Sequence, residues 1–320
     1  MTGWTYHGGR IEAAVRAFGG AREAWLDLST GINPNGWPGA DSVSIDWRAL
    51  PDEGALIVLE AAAAEMFGVD PRFVCALPGS EIGLRLLGDI LPGEAAHVAP
   101  SYRTHAEIVA GSHAIAVEEI PARIAAGRTV ILANPNNPDG RLIAPADLPE
   151  GPGWLVVDEA FADSRPEASI AASVGTGARR IVFRSFGKFF GLAGARLGFV
   201  IAPPAILAGF RQRLGSWPIS AAALAIGTAA YRDTDWIAAT RRALPGQAAA
   251  LDAVLARHGL IARGECLLFR LVETEDAAAL FERLARQAIL TRPFDYAPRW
   301  LRIGLPGDAA GLDRLDRALG

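Results

Sequence analysis

The stretch Trp-Leu-Val-Val-Asp-Glu, residues 154–159, places two carboxylates directly after a short apolar run. Six further β-rich runs precede residue 202, and several are almost wholly apolar rather than alternating. This composition is typical of strands that are covered on both faces. The other runs are 73–77, 95–99, 114–119, 129–133, 180–184 and 197–201.

Helix-like segments such as 81–91 and 102–110 separate many of these runs. Repeated strand–helix–strand order predicts right-handed crossovers and a largely parallel sheet between layers of helices, an α/β fold. A loop, not a helix, joins runs 180–184 and 197–201. We therefore expect one antiparallel strand in an otherwise parallel seven-stranded sheet.

The sequence pattern changes after about Pro203, where alanine-rich helical segments alternate with short strand-like segments. This pattern predicts a smaller α+β domain. The predicted helices are 220–231, 236–258 and 276–287, and the predicted strands are 266–272, 289–292 and 300–305. Prolines interrupt residues 1–51, so we expect a wandering arm there. The predicted divisions are an arm over 1–45 contributing to the small domain and the active site, a large domain over 46–205 and a small domain over 206–320.

Bulk composition excludes several classes of protein. Lys and Arg number 31 against 35 Asp and Glu, a net charge of −4 without a basic block, so no nucleic-acid partner is expected. No apolar stretch approaches the roughly 18 residues of a membrane helix, and the N-terminus has no signal-peptide core. Cys75 and Cys266 lie in apolar runs and are expected to pack in the core, with no disulfide and no metal. These features predict a cytoplasmic protein.

Four features lie where predicted strands end, the usual place for ligands of open α/β sheets, and the fourth is the segment around Lys188 described below. Pro-Gly-Ser-Glu at 78–81 precedes a helix, whose N-terminus favours an anion such as phosphate. Asn-Pro-Asn-Asn-Pro-Asp-Gly at 134–140 is a turn that also aims amide side chains at a ligand. Asp158 would serve either magnesium in a P-loop enzyme or a cationic ring nitrogen. No P-loop sequence is present, so the second use is favoured.

Lys188 lies in a segment of aromatic residues and glycines, residues 184–198. Taken alone, a solvated surface lysine is the commoner interpretation, but this setting favours a nucleophilic amine suited to imine chemistry. The glycine spacing lacks Gly-x-Gly-x-x-Gly and precedes a strand, which excludes a dinucleotide-binding loop.

Together these motifs resemble the fold-type-I aminotransferase family over essentially the whole chain. The resemblance implies pyridoxal 5′-phosphate as cofactor, bound by a large domain with a mostly parallel seven-stranded sheet beside a smaller α+β domain. It implies that Lys188 forms the Schiff base, Asp158 pairs with the ring nitrogen, Tyr102 stacks on the ring and Asn137 donates to the ring's phenolic oxygen. The implied phosphate ligands are Gly79, Ser80, Glu81, Ser185 and Arg196.

The resemblance extends to a subgroup that decarboxylates L-threonine O-3-phosphate in cobalamin biosynthesis. His7-Gly8-Gly9 and residues 26–34 are similar to that subgroup's opening segment. Phe161 stands where most relatives carry a tyrosine that binds the ring oxygen. Arg302 matches the arginine that binds the substrate carboxylate, a planar task suited to guanidinium. His7 and Arg292 would bind the substrate phosphate, with Gly31, Asn33 and Asn137 lining the site.

The implied product is (R)-1-amino-2-propanol O-2-phosphate. Two alternatives stay open: an aminotransferase acting on a phosphorylated amino acid such as histidinol phosphate, and a non-catalytic binding domain of this fold. Leu50 replaces a tyrosine that reaches the partner's cofactor phosphate in many relatives, and Trp47 is a candidate substitute. Gly187 replaces a common serine. The family builds its sites at subunit interfaces, so the resemblance implies a homodimer.

Overall fold

A computed structural model of the chain describes residues 3–91, 93–175, 177 and 179–320. Contacts divide the chain into two compact units. The sheet unit comprises Gly36–Asn137 and Leu142–Ala239, and the terminal unit comprises Met1–Asn35, Pro138–Arg141 and Thr240–Gly320.

The α-helices of the described residues are α1 (Ile11–Phe18), α2 (Glu53–Phe67), α3 (Ser80–Ile90), α4 (His105–Ile108), α5 (Ile120–Ala125), α6 (Phe186–Phe189), α7 (Pro204–Leu214), α8 (Ala221–Arg232), α9 (Thr234–Arg257), α10 (Ala277–Ala285) and α11 (Ala309–Leu319). The strands are β1 (Leu26–Asp27), β2 (Val74–Leu77), β3 (Ala95–Val98), β4 (His113–Ile115), β5 (Thr129–Ala133), β6 (Leu155–Asp158), β7 (Arg180–Ser185), β8 (Gly198–Ile201), β9 (Ala262–Arg263), β10 (Phe269–Glu273), β11 (Ile289–Leu290), β12 (Arg292–Pro293) and β13 (Trp300–Gly304).

The sheet unit is built on seven strands in the order β2-β8-β7-β6-β5-β3-β4. Strand β8 is antiparallel to β2 and β7, while the other pairings are parallel. The α/β prediction, with seven strands and one of them reversed, is therefore confirmed. Gly198 at the start of β8 lies opposite both Leu77 and Ser185, so the start of β8 shares an edge with the ends of β2 and β7.

Helices cover this sheet and exclude water from it. Strands β2, β5, β6 and β8 are buried along their whole length. Phe183 of β7 contacts Phe210 of α7 edge to face, with ring centroids 6.0 Å apart. Burial on both faces explains why these strands are continuously apolar rather than alternating.

The compact units differ from the divisions expected from the sequence. Helices α7 and α8 belong to the sheet unit, whereas the sequence placed everything after residue 205 in the small domain. Packing explains the difference, because Leu207 and Phe210 of α7 lie in the same buried cluster as the sheet residue Ile181. Helix α8 in turn packs against α2.

Residues 1–51, interpreted from their prolines as a wandering arm, contain the helix α1 and the short strand β1. Helix α2 was also missed. Asp52 caps it by accepting a hydrogen bond from the Ala55 N–H, and Gly68 ends it in the left-handed conformation at φ 68°. Between these caps the helix is so rich in alanine and other apolar residues that its sequence shows little amphipathic pattern.

The terminal unit contains two small sheets. Strands β1 and β11 form a parallel pair, and an antiparallel sheet has the order β12-β13-β10-β9. A backbone hydrogen bond joins β13 to the residue after β1: the Gly304 N–H donates to the Leu28 carbonyl at 2.7 Å. The predicted α+β character is thus present, with strands close to the expected positions. Among the described residues, no helix combines the length and the apolarity that crossing a membrane requires.

Candidate active site

Asp158 ends the buried strand β6 at the edge where the other site residues of the sheet unit lie. Its side chain is buried, and its Oδ2 lies 3.2 Å from Nε2 of His105, which is fully buried in α4. Its Oδ1 accepts a hydrogen bond from the Ala160 N–H at 3.1 Å. The carboxylate is thus held on both oxygens inside the protein.

Lys188 lies on α6, the single helical turn directly after β7, and is half-buried. Of the 320 residues it is the only lysine. Its Nζ lies 5.5 Å from the centroid of the Phe161 ring, which is buried. A primary amine beside an aromatic wall at the end of a buried strand differs from a solvated surface lysine.

The aromatic residues around Lys188 hold α6 in the core. Phe190 stacks on Phe186 at 4.6 Å between ring centroids and on Trp236 at 5.5 Å, and Phe189 contacts Trp236 edge to face. Phe186, Phe189 and Phe190 are completely buried. This packing leaves the lysine as the polar side chain of the turn and fixes the backbone that carries it.

The turn at 79–80 lies very close to the guanidinium of Arg196. Gly79 has φ +93°, and a Cβ there would lie 2.6 Å from an Nη atom of Arg196. A Cβ on Gly198 would lie 2.5 Å from the Ser80 backbone nitrogen, so β8 passes directly under the start of α3. Ser185 lies opposite Gly198. The N-terminus of an eleven-residue helix, the Arg196 guanidinium and the end of β7 at Ser185 therefore lie around the start of β8.

Tyr102 and Asn137 complete the predicted set in the sheet unit. The ring of Tyr102 meets that of His105 edge to face, with centroids 5.8 Å apart, and its hydroxyl donates to Glu81 Oε2 at 2.9 Å. Asn137 follows β5 and is half-buried, while its neighbour Asn136 donates to the Pro100 carbonyl at 3.0 Å. The sheet unit thus brings these residues to the edge where Asp158 and Lys188 lie.

Arg302 and Arg292 form a buried cationic pair in the terminal unit. They lie directly opposite each other in the antiparallel β12–β13 pair. Arg302 is 2 % exposed, and burial, followed by the charge of Arg292, lowers the pKa of Arg302 to about 9. With this pKa, Arg302 remains charged at neutral pH. Like charges placed opposite each other are unfavourable, and a bound anion relieves that cost.

The remaining predicted residues of the terminal unit lie around this pair. Ser29 connects Arg302 to the segment around His7. Its carbonyl accepts a hydrogen bond from Arg302 at 2.8 Å, and its hydroxyl accepts one from the Gly9 N–H at 2.8 Å. A Cβ at Gly8 would lie 2.3 Å from the Ser29 carbonyl oxygen, which explains why the segment after His7 needs glycine. Arg292 donates to the Tyr6 carbonyl at 2.9 Å, so it lies beside the exposed His7. Gly31 and Asn33 follow Ser29 in the chain, outside any strand, and are buried.

Comparison with known proteins decides the family. The model of the family described as aminotransferase class I and II matches residues 50–319. The chain belongs to this family.

Two proteins similar to this chain are threonine-phosphate decarboxylases. The protein from Sinorhizobium sp is 44% identical over 98% of this chain and 97% of its own length. The protein from Pseudomonas aeruginosa is 38% identical over 98% of this chain and 96% of its own length. Both likenesses extend over nearly the full chain, so they include the terminal unit as well as the sheet unit.

A solved structure supports the same fold. Histidinol-phosphate aminotransferase from Sinorhizobium meliloti, in complex with pyridoxal 5′-phosphate, superposes with a TM-score of 0.80 at 22% identity. The match covers 97% of this chain and 93% of that one. At this identity the likeness establishes the aminotransferase fold alone.

The residues of the sheet unit fit the cofactor that the family resemblance implies. The Gly79 turn leaves no room for a Cβ beside Arg196, which makes a cradle suited to a phosphate. A buried carboxylate on Asp158 suits a protonated ring nitrogen, because a buried charge requires a partner. Lys188 supplies a primary amine at the same edge.

Sequence reasoning missed three contributors. His105 supports Asp158, the Glu81 side chain holds Tyr102, and Arg184 forms a buried ion cluster with Glu159 at 2.8 Å and with Asp163. For Glu81 and His105 the sequence gave a signal, because each lies within three residues of a motif residue. For Lys188, which was predicted, the sequence offered a further signal, because it is the only lysine among the 320 residues.

Proposed function

We propose that this chain is a pyridoxal-phosphate enzyme that decarboxylates L-threonine O-3-phosphate to (R)-1-amino-2-propanol O-2-phosphate, in cobalamin biosynthesis. The observation that carries this proposal is the 44% identity with a threonine-phosphate decarboxylase over nearly the whole of both chains. The buried arginine pair of the terminal unit supports it, since the substrate has two anionic groups.

In this proposal the sheet unit holds the cofactor. When bound, pyridoxal phosphate supplies an electron sink for the electrons left at the substrate Cα. Asp158 would pair with the ring nitrogen, Tyr102 would stack on the ring, Asn137 would donate to the phenolic oxygen and Phe161 would contact the ring. The cofactor phosphate is bound by the backbone of Gly79, Ser80 and Glu81, the Ser185 hydroxyl and the Arg196 guanidinium.

The terminal unit supplies the groups that recognise substrate. Arg302 would bind the carboxylate, Arg292 with His7 would bind the phosphate, and Gly31 and Asn33 would be further substrate-binding residues. Asn137 of the sheet unit is the remaining residue proposed to bind substrate. Planar guanidinium forks match the geometry of carboxylate and phosphate oxygens. Lys188 would carry the proton at the substrate Cα.

The reaction differs from transamination in its products and its requirements, which gives a direct test. Purified enzyme loaded with pyridoxal phosphate and given threonine phosphate should release carbon dioxide without an added keto acid. Mass spectrometry should detect aminopropanol phosphate from threonine phosphate and no keto product from histidinol phosphate. A strict keto-acid requirement would instead identify an aminotransferase acting on a phosphorylated amino acid.

Lys188→Ala is the matched control, and it exploits the single lysine. The wild-type protein should show a visible absorbance band that borohydride abolishes while fixing one cofactor mass on the peptide containing residue 188. The variant should show neither the band nor carbon dioxide release. Absence of both from the wild-type protein would indicate a non-catalytic binding domain.

A homodimer is part of the proposal, supported by an apolar surface on the sheet unit. Trp47 is 75% exposed and Leu50 67% exposed in the segment before α2, and Ile57 of α2 is 67% exposed. Trp217, 54% exposed, borders a small cleft with Pro51 and Leu56. Large apolar side chains that are this exposed are candidates for burial in a protein interface. Light scattering should give twice the chain mass for the wild-type protein, and Ile57→Glu should shift it toward monomer.

We place the enzyme in the cytoplasm. The support is the free, buried state of both cysteines, which a reducing compartment maintains without oxidation.

A further inference from the structure

The side chain of Glu81 binds two hydroxyl groups. Glu81 is the second residue of α3, directly after the Gly79–Ser80 turn. Its Oε2 accepts the hydroxyl of Tyr102 at 2.9 Å, and its Oε1 accepts the hydroxyl of Thr104 at 3.0 Å. The sequence had assigned only the Glu81 backbone, to the phosphate turn.

We infer that Glu81 is a positioning residue, which fixes the Tyr102 ring over the cofactor site by binding its hydroxyl. The inference deepens the proposed function, because it rests on Tyr102 lying against the cofactor ring. It assigns the Glu81 side chain a role that acts through Tyr102. In this role, the N-terminus of α3 both forms part of the turn proposed to bind the cofactor phosphate and supports the Tyr102 ring through Glu81.

Arg85 holds the carboxylate of Glu81 in place. Its Nε donates to Glu81 Oε1 at 2.8 Å, one helical turn along α3, and its Nη2 donates to Glu107 at 3.1 Å. Glu81 therefore accepts bonds from three side chains, and a carboxylate with two oxygens has the capacity for all three. These hydrogen bonds hold the Glu81 carboxylate, which accepts the Tyr102 hydroxyl, in a fixed position.

The direction of this hydrogen bond decides what Tyr102 can do. Its hydroxyl proton points to Glu81, so it is not available to a ligand on the ring face. Burial, and next the negative charge of Glu81, raise the pKa of Tyr102 above its ordinary value. Tyr102 consequently acts as a fixed aromatic surface and takes no part in proton transfer.

A double-mutant cycle on the apoprotein tests the role. Apoprotein variants Glu81→Ala, Tyr102→Phe and the double variant are titrated with pyridoxal 5′-phosphate, following the visible band to obtain Kd. Glu81→Gln is the conservative variant, because its amide oxygen still accepts the Tyr102 hydroxyl. Glu107→Ala is the matched control, since it removes the other carboxylate of Arg85 and leaves the Glu81–Tyr102 bond in place.

Each single variant should raise Kd by about tenfold, the loss expected for a charge-assisted hydrogen bond. The double variant should show the same increase and no more, because both changes remove one interaction. Glu81→Gln should recover most of the affinity, and Glu107→Ala should stay within about twofold of the wild type. Denaturant unfolding of each apoprotein reports any general loss of structure separately.

Two results would overturn the inference. One is a double variant whose Kd increase is the product of the two single increases. The other is Glu81→Ala with unchanged Kd. The proposed function fails independently, when wild-type enzyme with a normal Kd for pyridoxal phosphate releases no carbon dioxide from threonine phosphate.

Discussion

Nε2 of His105 lies 3.2 Å from Oδ2 of Asp158, with the imidazole completely buried. The two residues are 53 positions apart, one on α4 and the other at the end of β6. The imidazole therefore orients the carboxylate that the proposed mechanism places on the cofactor's ring nitrogen.

Replacing His105 by Phe keeps a ring of similar shape and removes this hydrogen bond. Loss of a bond to a buried charged group costs roughly 1–3 kcal/mol. We expect the apoprotein to lose about that much free energy of unfolding, and Kd for pyridoxal phosphate to rise by about tenfold. His97→Phe is the control, because His97 bonds Ser112 instead of a site carboxylate. Equal Kd values for His105→Phe and the wild type would contradict the role.

The pKa of Arg302, lowered to about 9, predicts a pH dependence. Between pH 9 and the ordinary value of 12.5, the unfolded state binds more protons at this residue than the folded state does. Its contribution to folding stability should therefore rise with pH in that window. Substrate affinity should fall over the same window, as the guanidinium loses its charge.

Arg302→Met isolates this contribution from other groups that titrate at high pH. Denaturant unfolding of both apoproteins at pH 8 and pH 10 should give a wild-type-minus-variant difference that becomes more favourable to the wild type at pH 10. The variant should also raise KM for threonine phosphate by roughly 30-fold or more at pH 8, because one partner of a buried charge pair is lost. A stability difference independent of pH would refute the titration.

The buried cluster of Arg184, Glu159 and Asp163 predicts a large stability effect. Arg184 is 2 % exposed and bonds both carboxylates. Arg184→Met leaves two buried acids without their cation, which costs about 3–5 kcal/mol. Arg123→Met, which breaks an exposed pair with Glu119 one turn away, should cost less than about 0.5 kcal/mol. Urea unfolding compares them, and similar losses for both would contradict the assignment.

Both cysteines should be unreactive in the folded protein. Burial raises the pKa of Cys75 to about 12 and that of Cys266 to about 11, so neither forms appreciable thiolate at pH 8. An Ellman assay at pH 8 should detect essentially no thiol in native protein and two per chain in denaturant. Prompt reaction of one thiol in the native state would show that the corresponding core is open to solvent.

The sequence alone determined the sheet and its chemistry-bearing ends. Apolar runs such as 154–157 are typical of strands covered on both faces. The short connection between 184 and 198 was expected to be a loop and contains the single turn α6, and it indicated the reversed strand. Asp158, Lys188 and the turn at 79–80 could be proposed because their residue types follow strand ends. These are local features, in which the cause and the signal lie within a few residues.

Only the tertiary structure decided which distant groups support them. The His105–Asp158, Glu81–Tyr102 and Arg292–Arg302 relationships depend on helix placement and on strand register, which join residues many positions apart. Helix α2 was hidden for a related reason, because its nearly uniform apolar and alanine composition carries little periodic signal. Pairing across elements is set by packing of the whole unit, and a linear pattern does not encode it at any single position.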